Sequence, residues 1–507
     1  MIQMKNLSSL ILISSTLLFG CAPPAERENM ALPNYHLLSS CEKPEDDAYA
    51  NLIEESLCGT ISVFEDRDDR TGRKIDLNIM LLPATTSAVK PDPIFFLAGG
   101  PGQSAVETGP ALFTVLRKLR KERDIVLVDQ RGTGQSSSLA CELDIPVLEQ
   151  LSLSIEEITV LHTAQLKKCL TEFDANPALY TTPIAMDDLN EVREVLGYDK
   201  INLLGISYGT RAGLVYLRRH EDTVRSIVLD AVAPTTMVIP KNVAVDAQSA
   251  FEQMLADCQS QPGCKQAFPD LHAHFREVVE RLQTVAETVT IRHPRTGVAI
   301  RGTVDPLLIS RLTRGVLYSR TLSQLLPLVI EEAYKGNYQP LSTLSYSMSG
   351  EDSQLSTGMM LSVLCAEDMT LLDSPYNTED FDNPLFNMLS GACEFWPRGS
   401  IPEDYFDAVS SMVPVLLTSG ILDPITPPKY AWEAAATLGN SEHVIVPGVG
   451  HGSVVAGCMP EVVATFFDNP KPKEINASCS VNLRRLLFFT SYAGAVTKPD
   501  NAEPAND

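Results

Sequence analysis

Residues 201–209 read Ile201-Asn202-Leu203-Leu204-Gly205-Ile206-Ser207-Tyr208-Gly209, and this stretch decides the fold. An apolar run, Ile201–Leu204, meets a Gly-x-Ser-x-Gly turn, and a helical pattern, Thr210–Arg219, follows directly. A serine at such a strand-to-helix corner sits on strained backbone with its hydroxyl exposed. Neighbouring chain crowds positions 205 and 209, where only a residue without bulk fits. The five-residue pattern alone is common by chance. Its setting between a strand and a helix makes Ser207 a candidate nucleophile.

Outward from that corner, short apolar runs alternate with helical patterns. The expected strands are Gly59–Val63, Ile75–Leu82, Ile94–Ala98, Ile125–Asp129, Ile201–Leu204, Ser226–Asp230, Val413–Thr418 and His443–Val446. The polar run Asp66–Gly72 joins the first two as a hairpin. The later strands are apolar almost throughout, which suits parallel strands buried on both faces. Helical patterns Ala111–Lys121, Met186–Leu196 and Thr210–Arg219 follow several of them. The class is therefore α/β, with an open, mostly parallel, doubly wound sheet. The alternation stops near residue 236 and resumes near residue 412. Between them lie the amphipathic segments Val243–Leu255, His272–Val285, Leu307–Val316 and Leu322–Lys335. We read residues 236–411 as an inserted, mainly helical cap. The core then comprises 57–235 and 412–495, with a flexible polar tail over 496–507.

The strand Ile94–Ala98 runs into Gly99-Gly100-Pro101-Gly102. Glycines there let backbone N–H groups face a substrate oxygen. The expected oxyanion donors are the N–H of Gly100 and that of Tyr208, the residue after the nucleophile. A phosphate-cradling loop is the rival, but the Lys-Ser/Thr of such loops is missing. A plain tight turn is the other alternative. The block Asp129-Gln130-Arg131-Gly132-Thr133-Gly134 ends the next strand, and its Arg and Gly residues are expected to brace the turn. Of eight His, only His451 lies in a glycine-rich turn after a strand, Pro447-Gly448-Val449-Gly450-His451-Gly452, where a base can reach a serine on a neighbouring turn. Asp423 follows the strand Val413–Thr418 and is the expected orienting acid, with Asp230 as its competitor.

The chain has 507 residues, with 64 Asp+Glu against 40 Lys+Arg and a formal net charge of −24. Such a balance argues against nucleic-acid binding, which needs a basic face to displace phosphate counterions. At the N-terminus, Lys5 precedes an apolar stretch ending at Phe19, too short for a comfortable membrane span and shaped like a secretory leader over 1–20. Leu18-Phe19-Gly20-Cys21 resembles a bacterial lipobox, with Phe19 bulkier than the residue usual there. The expectation is cleavage before Cys21 and a lipid on its thiol, with residues 21–56 as tether and N-terminal segment. An ordinary signal peptide with an incidental Cys is the alternative. The expected location is the bacterial cell envelope, membrane-anchored, with the catalytic domain in the periplasm or outside.

Eleven Cys is an odd number for an exported protein. Setting Cys21 aside for lipid leaves ten. Their clustering suggests sequential pairs in an oxidising compartment: Cys41–Cys58, Cys141–Cys169, Cys258–Cys264, Cys365–Cys393 and Cys458–Cys479. No Cys-x-x-Cys or His-Glu-x-x-His spacing occurs, and neither a metal nor an organic cofactor is expected.

Taken together, these blocks resemble the prolyl/tripeptidyl aminopeptidase family of α/β-hydrolase serine peptidases. The resemblance covers residue 57 to about residue 482. It rests on Gly99-Gly100-Pro101-Gly102, Asp129–Gly134, Tyr180-Thr181-Thr182 with Asp187-Asp188-Leu189, Gly205–Thr210, and Leu229-Asp230 with Ala233-Pro234. Val363-Leu364-Cys365-Ala366-Glu367-Asp368, the Asp423 and His451 loops and the Cys spacings look like the tripeptidyl aminopeptidase-like branch. Ala98 stands where prolyl iminopeptidases place His before Gly-Gly-Pro-Gly, which tilts away from that activity. The resemblance implies an exopeptidase on peptide substrates. Its cap blocks long chains, and acidic groups on the cap side hold the free amino terminus. Glu367 is the candidate anchor, with a solvent-facing acid as the alternative. Ser207, Asp423 and His451 then form the catalytic triad. An ester or small-amide hydrolase on the same fold is the rival, and an envelope binding protein on a dead hydrolase scaffold is the second. Peptide preference, oligomeric state and cap motion stay open.

Overall fold

The computed structural model describes residues 33–45, 48–141, 153, 155–292, 296–349, 355–372, 374 and 376–496. Cys21, the expected leader and nearly all of the polar tail lie outside the described residues. Nine strands make the main sheet: β1 (Ser39–Ser40), β2 (Leu57–Phe64), β3 (Lys74–Leu82), β4 (Ile94–Leu97), β5 (Ile125–Val128), β6 (Ile201–Ile206) and β7 (Val224–Asp230) come first in the chain. A separate hairpin follows, β8 (Glu287–Arg292) with β9 (Ala299–Val304). The last two strands of the main sheet are β10 (Val415–Gly420) and β11 (Ser441–Val446).

The sheet order is β1-β2-β3-β5-β4-β6-β7-β10-β11. The first three pairings are antiparallel, and from β5 onward every neighbour is parallel. Sequence pattern and burial agree on why. β4, β5 and the body of β6 are buried at every position, as strands covered by helices on both faces must be. β2 alternates near its end because only one of its faces meets the core. In an open parallel sheet, loops at the carboxyl ends of the strands share one edge, and ligands bind there. The Gly-rich loop follows β4, Ser207 follows β6, and the Asp423 and His451 loops follow β10 and β11. The sheet therefore brings together residues up to 352 positions apart in sequence order, from Gly99 to His451.

The stretch expected to be one cap is divided between two hydrophobic cores. The helices Val243–Ser260, Leu271–Thr284, Pro306–Tyr318 and Leu326–Tyr334 share a core of their own, built around Phe251, Phe275, Leu282, Leu312, Leu326 and Tyr338. Phe251 packs on Phe275 with ring centroids 4.7 Å apart. From residue 357 the chain returns to the main core. The helix Thr357–Glu367 brings in Met359, Leu361 and Cys365, and Trp396 and Tyr405 follow. This helix is apolar on all sides and is buried on all sides, so it cannot sit at a solvent face. The cap's own core thus ends well before residue 411. The hairpin β8/β9 inside the cap was not expected from the helical pattern around it.

Five disulfides are formed, Cys41–Cys58, Cys141–Cys169, Cys258–Cys264, Cys365–Cys393 and Cys458–Cys479. They close loops with sequence separations of 17, 28, 6, 28 and 21 residues. A loop near 15 residues is worth about 3 kcal/mol by restricting the unfolded chain. After the last bridge, the C-terminal segment runs back to the cap. Arg485 Nε donates to Asp257, and the Phe488 N–H donates to Gln261 Oε1 at 3.0 Å. Among the described residues no helix is long and apolar enough to cross a membrane.

Candidate active site

Ser207 stands between β6 and the helix Tyr208–His220 with φ 58° and ψ −125°. A non-glycine residue at positive φ is costly, and such strain persists only where the surroundings enforce it. Here they do. A Cβ on Gly205 would strike the Gly209 carbonyl, and one on Gly209 would strike the Leu97 carbonyl of β4. Gly205 is thus required by the tight turn into the helix, and Gly209 by the close approach of β4 to the corner.

The Gly-rich loop packs directly on the corner. A Cβ on Gly99 would lie 3.2 Å from Ser207 Cβ. Gly100 has φ 106°, open to glycine and closed to most other residues. Tyr208 is the first residue of its helix, and the first N–H groups of a helix have no acceptor within it. Asp129, just past β5, fixes this loop from behind. Its Oδ1 accepts from Ser104 Oγ at 2.6 Å and from the Val106 N–H at 3.0 Å, and its Oδ2 accepts from Asn78 Nδ2 at 2.9 Å. Arg131 next to it is fully buried and grips Asp188 with two bonds, at 2.6 and 2.8 Å. The bracing expected of the Asp-Gln-Arg-Gly block is therefore divided between two residues: Asp129 holds the oxyanion loop, and Arg131 holds the helix Thr182–Leu196.

His451 Nδ1 lies 2.9 Å from Asp423 Oδ2. The Asp423 carboxylate also accepts from the Ile425 and Thr426 N–H groups, each at 2.9 Å, and from Thr426 Oγ1 at 2.8 Å. Burial alone would raise the Asp423 pKa, but the adjacent imidazole and these donors outweigh it and hold the carboxyl below its usual range. Burial likewise disfavours an imidazolium at His451, yet the Asp423 charge and hydrogen bond, with Asp230 adding, raise its pKa. With Nδ1 donating to Asp423, Nε2 is the nitrogen available as base.

Asp230, the competing acid, has a different task. It ends β7, and its carboxylate is saturated by Thr418 Oγ1 at 2.7 Å, the Ser453 N–H at 3.0 Å, Ser453 Oγ at 2.5 Å and the Val454 N–H at 3.1 Å. Its backbone carbonyl accepts from the Ser207 N–H at 2.9 Å. Asp230 therefore clamps the nucleophile corner to the loop carrying His451. The cap touches the same loop: the ring of Tyr318 meets His451 edge-on with centroids 5.3 Å apart. Arg320 Nε donates to the Gly448 carbonyl at 2.9 Å. Neither Tyr318 nor Arg320 carries a sequence signature of its own.

Glu367 is the correction. It does not reach the cleft as an amino-terminus anchor, and it does not face solvent. The residue is 0% exposed. Oε1 accepts from the Thr182 N–H at 2.6 Å, Oε2 accepts from Thr182 Oγ1 at 2.8 Å, and the Tyr405 hydroxyl also donates to Oε2. Thr182 Oγ1 in turn lies 2.6 Å from the Tyr208 hydroxyl. Burial pushes the Glu367 carboxyl up to about 7, against the pull of those donors and of Arg211. Its place at the end of a helix buried on all sides gave a polar residue there no route to the substrate. Tyr208, Thr182, Glu367 and Tyr405 form the framework behind the nucleophile corner.

A cavity of about 330 Å³ lies elsewhere, lined by Pro183, Val215, Arg219, His220 and Tyr405 among others. It contains none of the triad, and Arg219 and His220 in its wall both bind Asp187.

The chain matches the alpha/beta hydrolase fold family over residues 92–282 and the TAP-like protein family over residues 377–479. It is similar to serine protease Hip1 of Mycobacterium tuberculosis, 27% identical over 467 residues, covering 84% of this chain and 87% of that protein. The chain is a hydrolase of the α/β-hydrolase fold with a TAP-like region. Tripeptidyl aminopeptidase of Streptomyces lividans is 30% identical over 223 residues, 41% of each chain. Carboxylesterase B of Mycobacterium tuberculosis is 31% identical over 228 residues, 42% of this chain and 43% of that one. The TAP-like match begins at residue 377, inside the stretch expected to be cap; Phe381 near its start packs on Phe251 in the cap core, and Phe386 and Trp396 after it belong to the main core.

As a serine hydrolase, the chain is expected to work by acyl transfer. On the expected mechanism, Ser207 Oγ attacks the scissile carbonyl while His451 Nε2 takes its proton, later giving it to the leaving group. Asp423 holds the productive tautomer and stabilises the imidazolium. The N–H groups of Gly100 and Tyr208 are the expected oxyanion donors, and one such donor is worth about 3–4 kcal/mol in kcat. Water then resolves the acyl-enzyme by the same route.

Proposed function

We propose that this protein is a lipid-anchored envelope exopeptidase that releases short units from peptide N-termini through an acyl-enzyme on Ser207. The observation that carries the peptidase reading is the likeness to a serine protease along 84% of the chain, spanning both the sheet that holds Ser207 and the loops that hold Asp423 and His451. The cap core above the His451 loop favours action on chain ends rather than on long internal segments. Cys21 as the lipid site, and with it the envelope location, rests on the lipobox-like sequence and on five disulfides, which persist in an oxidising compartment.

The test is a panel of aminoacyl- and tripeptidyl-anilides, free and blocked at the amino terminus, set against simple acyl esters. Faster cleavage of the free-amino anilides than of the blocked ones supports the exopeptidase. Equal cleavage of both, with faster turnover of esters, would replace it with the second reading, an ester or small-amide hydrolase. That reading has one specific support, the 31% identity to a carboxylesterase over 228 residues. Labelling of Ser207 by a fluorophosphonate, lost in Ser207→Ala, separates both from a non-catalytic binding protein. For the anchor, alkylation of intact mature protein should find no free thiol, since Cys21 is lipidated and ten Cys are bridged. A free Cys21 thiol breaks the lipoprotein proposal.

A further inference from the structure

Arg314 lies on the cap helix Pro306–Tyr318, one turn before Tyr318. Residues four apart on a helix share a face, and Tyr318 sets its ring edge against catalytic His451. The Arg314 charge is felt at the Tyr318 hydroxyl, where it opposes the effect of burial. Arg314 Nε is buried and has no hydrogen-bond partner. Among the described residues its guanidinium meets no carboxylate. Elsewhere in this strongly acidic chain, Arg67, Arg131, Arg211, Arg219 and Arg485 each hold an Asp or Glu. A guanidinium has five donors, no acceptor, and a fork that fits a carboxylate. A buried donor left without an acceptor is costly, so a partner is expected to arrive from outside the chain.

We propose that Arg314 is a substrate-binding residue that takes a carboxylate on the leaving-group side of the peptide. The inference rests on the peptidase reading above. A cation beside the cleft would repel the ammonium of a free amino terminus, so the carboxylate belongs to the part that departs. It comes either from the C-terminus of a short peptide or from an acidic side chain just past the cut. The consequence is a preference for short or acidic peptides that the triad itself does not impose.

The experiment uses the full mature enzyme and three alanine tetrapeptides: the free acid, the C-terminal amide, and an amide with Glu in the last position. The wild type is expected to favour one of the two carboxylates over the plain amide by about ten- to a hundred-fold in kcat/KM, chiefly through KM. A preference for the free acid assigns the terminal carboxylate, and one for the Glu amide assigns the side chain. Arg314→Met should erase the preference, with an unfolding midpoint close to that of wild type reporting an intact fold. Arg314→Lys should keep part of it. Equal wild-type rates on all three peptides, or a preference surviving in Arg314→Met, would overturn the proposal. If the wild type cleaves no peptide but hydrolyses phenyl acetate, the peptidase reading fails separately. Arg314 is then decided by 4-carboxyphenyl acetate against phenyl acetate: a preference erased in Arg314→Met supports it, and equal wild-type rates sink it.

Discussion

Two regions flank the nucleophile corner, and each buries a carboxylate completely. In the loop after β10, Asp423 is pushed below the ordinary carboxylate range. Behind Tyr208, Glu367 is pushed up to about 7. Burial opposes charge in both, so desolvation does not separate them. The partners do. Asp423 faces an imidazole that can carry the compensating positive charge, and two N–H groups and a hydroxyl complete its shell. Glu367 faces hydroxyls and one N–H, while the cation next to it, Arg211, is already held by Asp368 at 2.9 Å. One acid is kept charged to work on a histidine. The other is a hydrogen-bonding hub whose ionisation burial opposes.

The sharpest way to break this contrast is to remove each charge while keeping the shape. Asp423→Asn should lower kcat by about 10⁴ with the fold retained, because the amide favours the wrong imidazole tautomer. Glu367→Gln should leave kcat within a few-fold of wild type. Parallel kinetics on the best anilide decide it: a collapse of kcat in Glu367→Gln at unchanged thermal stability would return Glu367 to the substrate site.

Stability should show the reverse order. Glu367→Ala strands the Thr182 N–H and the Tyr405 hydroxyl in the core, and should cost about 3 kcal/mol in denaturant unfolding. Glu367→Gln should cost less, since an amide can still serve those partners.

The pH dependence sharpens the comparison further. A carboxyl raised on folding stabilises fully below its unfolded pKa, 4.5, and loses that contribution as pH rises through its folded pKa, about 7. The stability of Glu367→Gln relative to wild type should therefore climb across that window. Asp423 has the opposite sign: its contribution is present above its unfolded pKa and is lost as pH falls through the depressed folded value. Unfolding titrations of wild type and Glu367→Gln between pH 4.5 and 7 measure the first effect. A flat difference would place Glu367 among ordinary surface-like acids. In kinetics, the acid limb of kcat/KM should lie above the ordinary His value, because His451 must be neutral to act and its pKa is raised. In Asp423→Asn that limb should move to lower pH.

The parts of the site legible in sequence are those with local rules. Gly205-x-Ser207-x-Gly209 is written by steric necessity, as the collisions a Cβ would meet demonstrate. The parallel strands are written in their unbroken apolar runs, and the bridged Cys in their clustering. His451 and Asp423 were legible because each follows such a strand on a turn. Glu367 was misread because a family block places it in sequence, while its surroundings come from elements far away: Thr182 is 185 residues earlier and Tyr405 is 38 later. The helix Thr357–Glu367 looks like cap in order but belongs to the main core in packing, while Phe381 beyond it packs again on the cap core. The hairpin β8/β9 was hidden among helical patterns.

By itself the sequence determined the α/β class and the nucleophile corner, and the clustering of ten cysteines pointed to the five pairs that form. Each of these depends on neighbours a few residues away or on repeated strand-and-turn patterns. Only the tertiary structure decided which buried acid serves catalysis, that Asp230 clamps the corner to the His451 loop, and that an arginine on the cap lies one helical turn from the ring that meets His451. These are facts of three-dimensional company. A side chain's charge state and accessibility are set by what packs against it, and that company is assembled from across the whole chain.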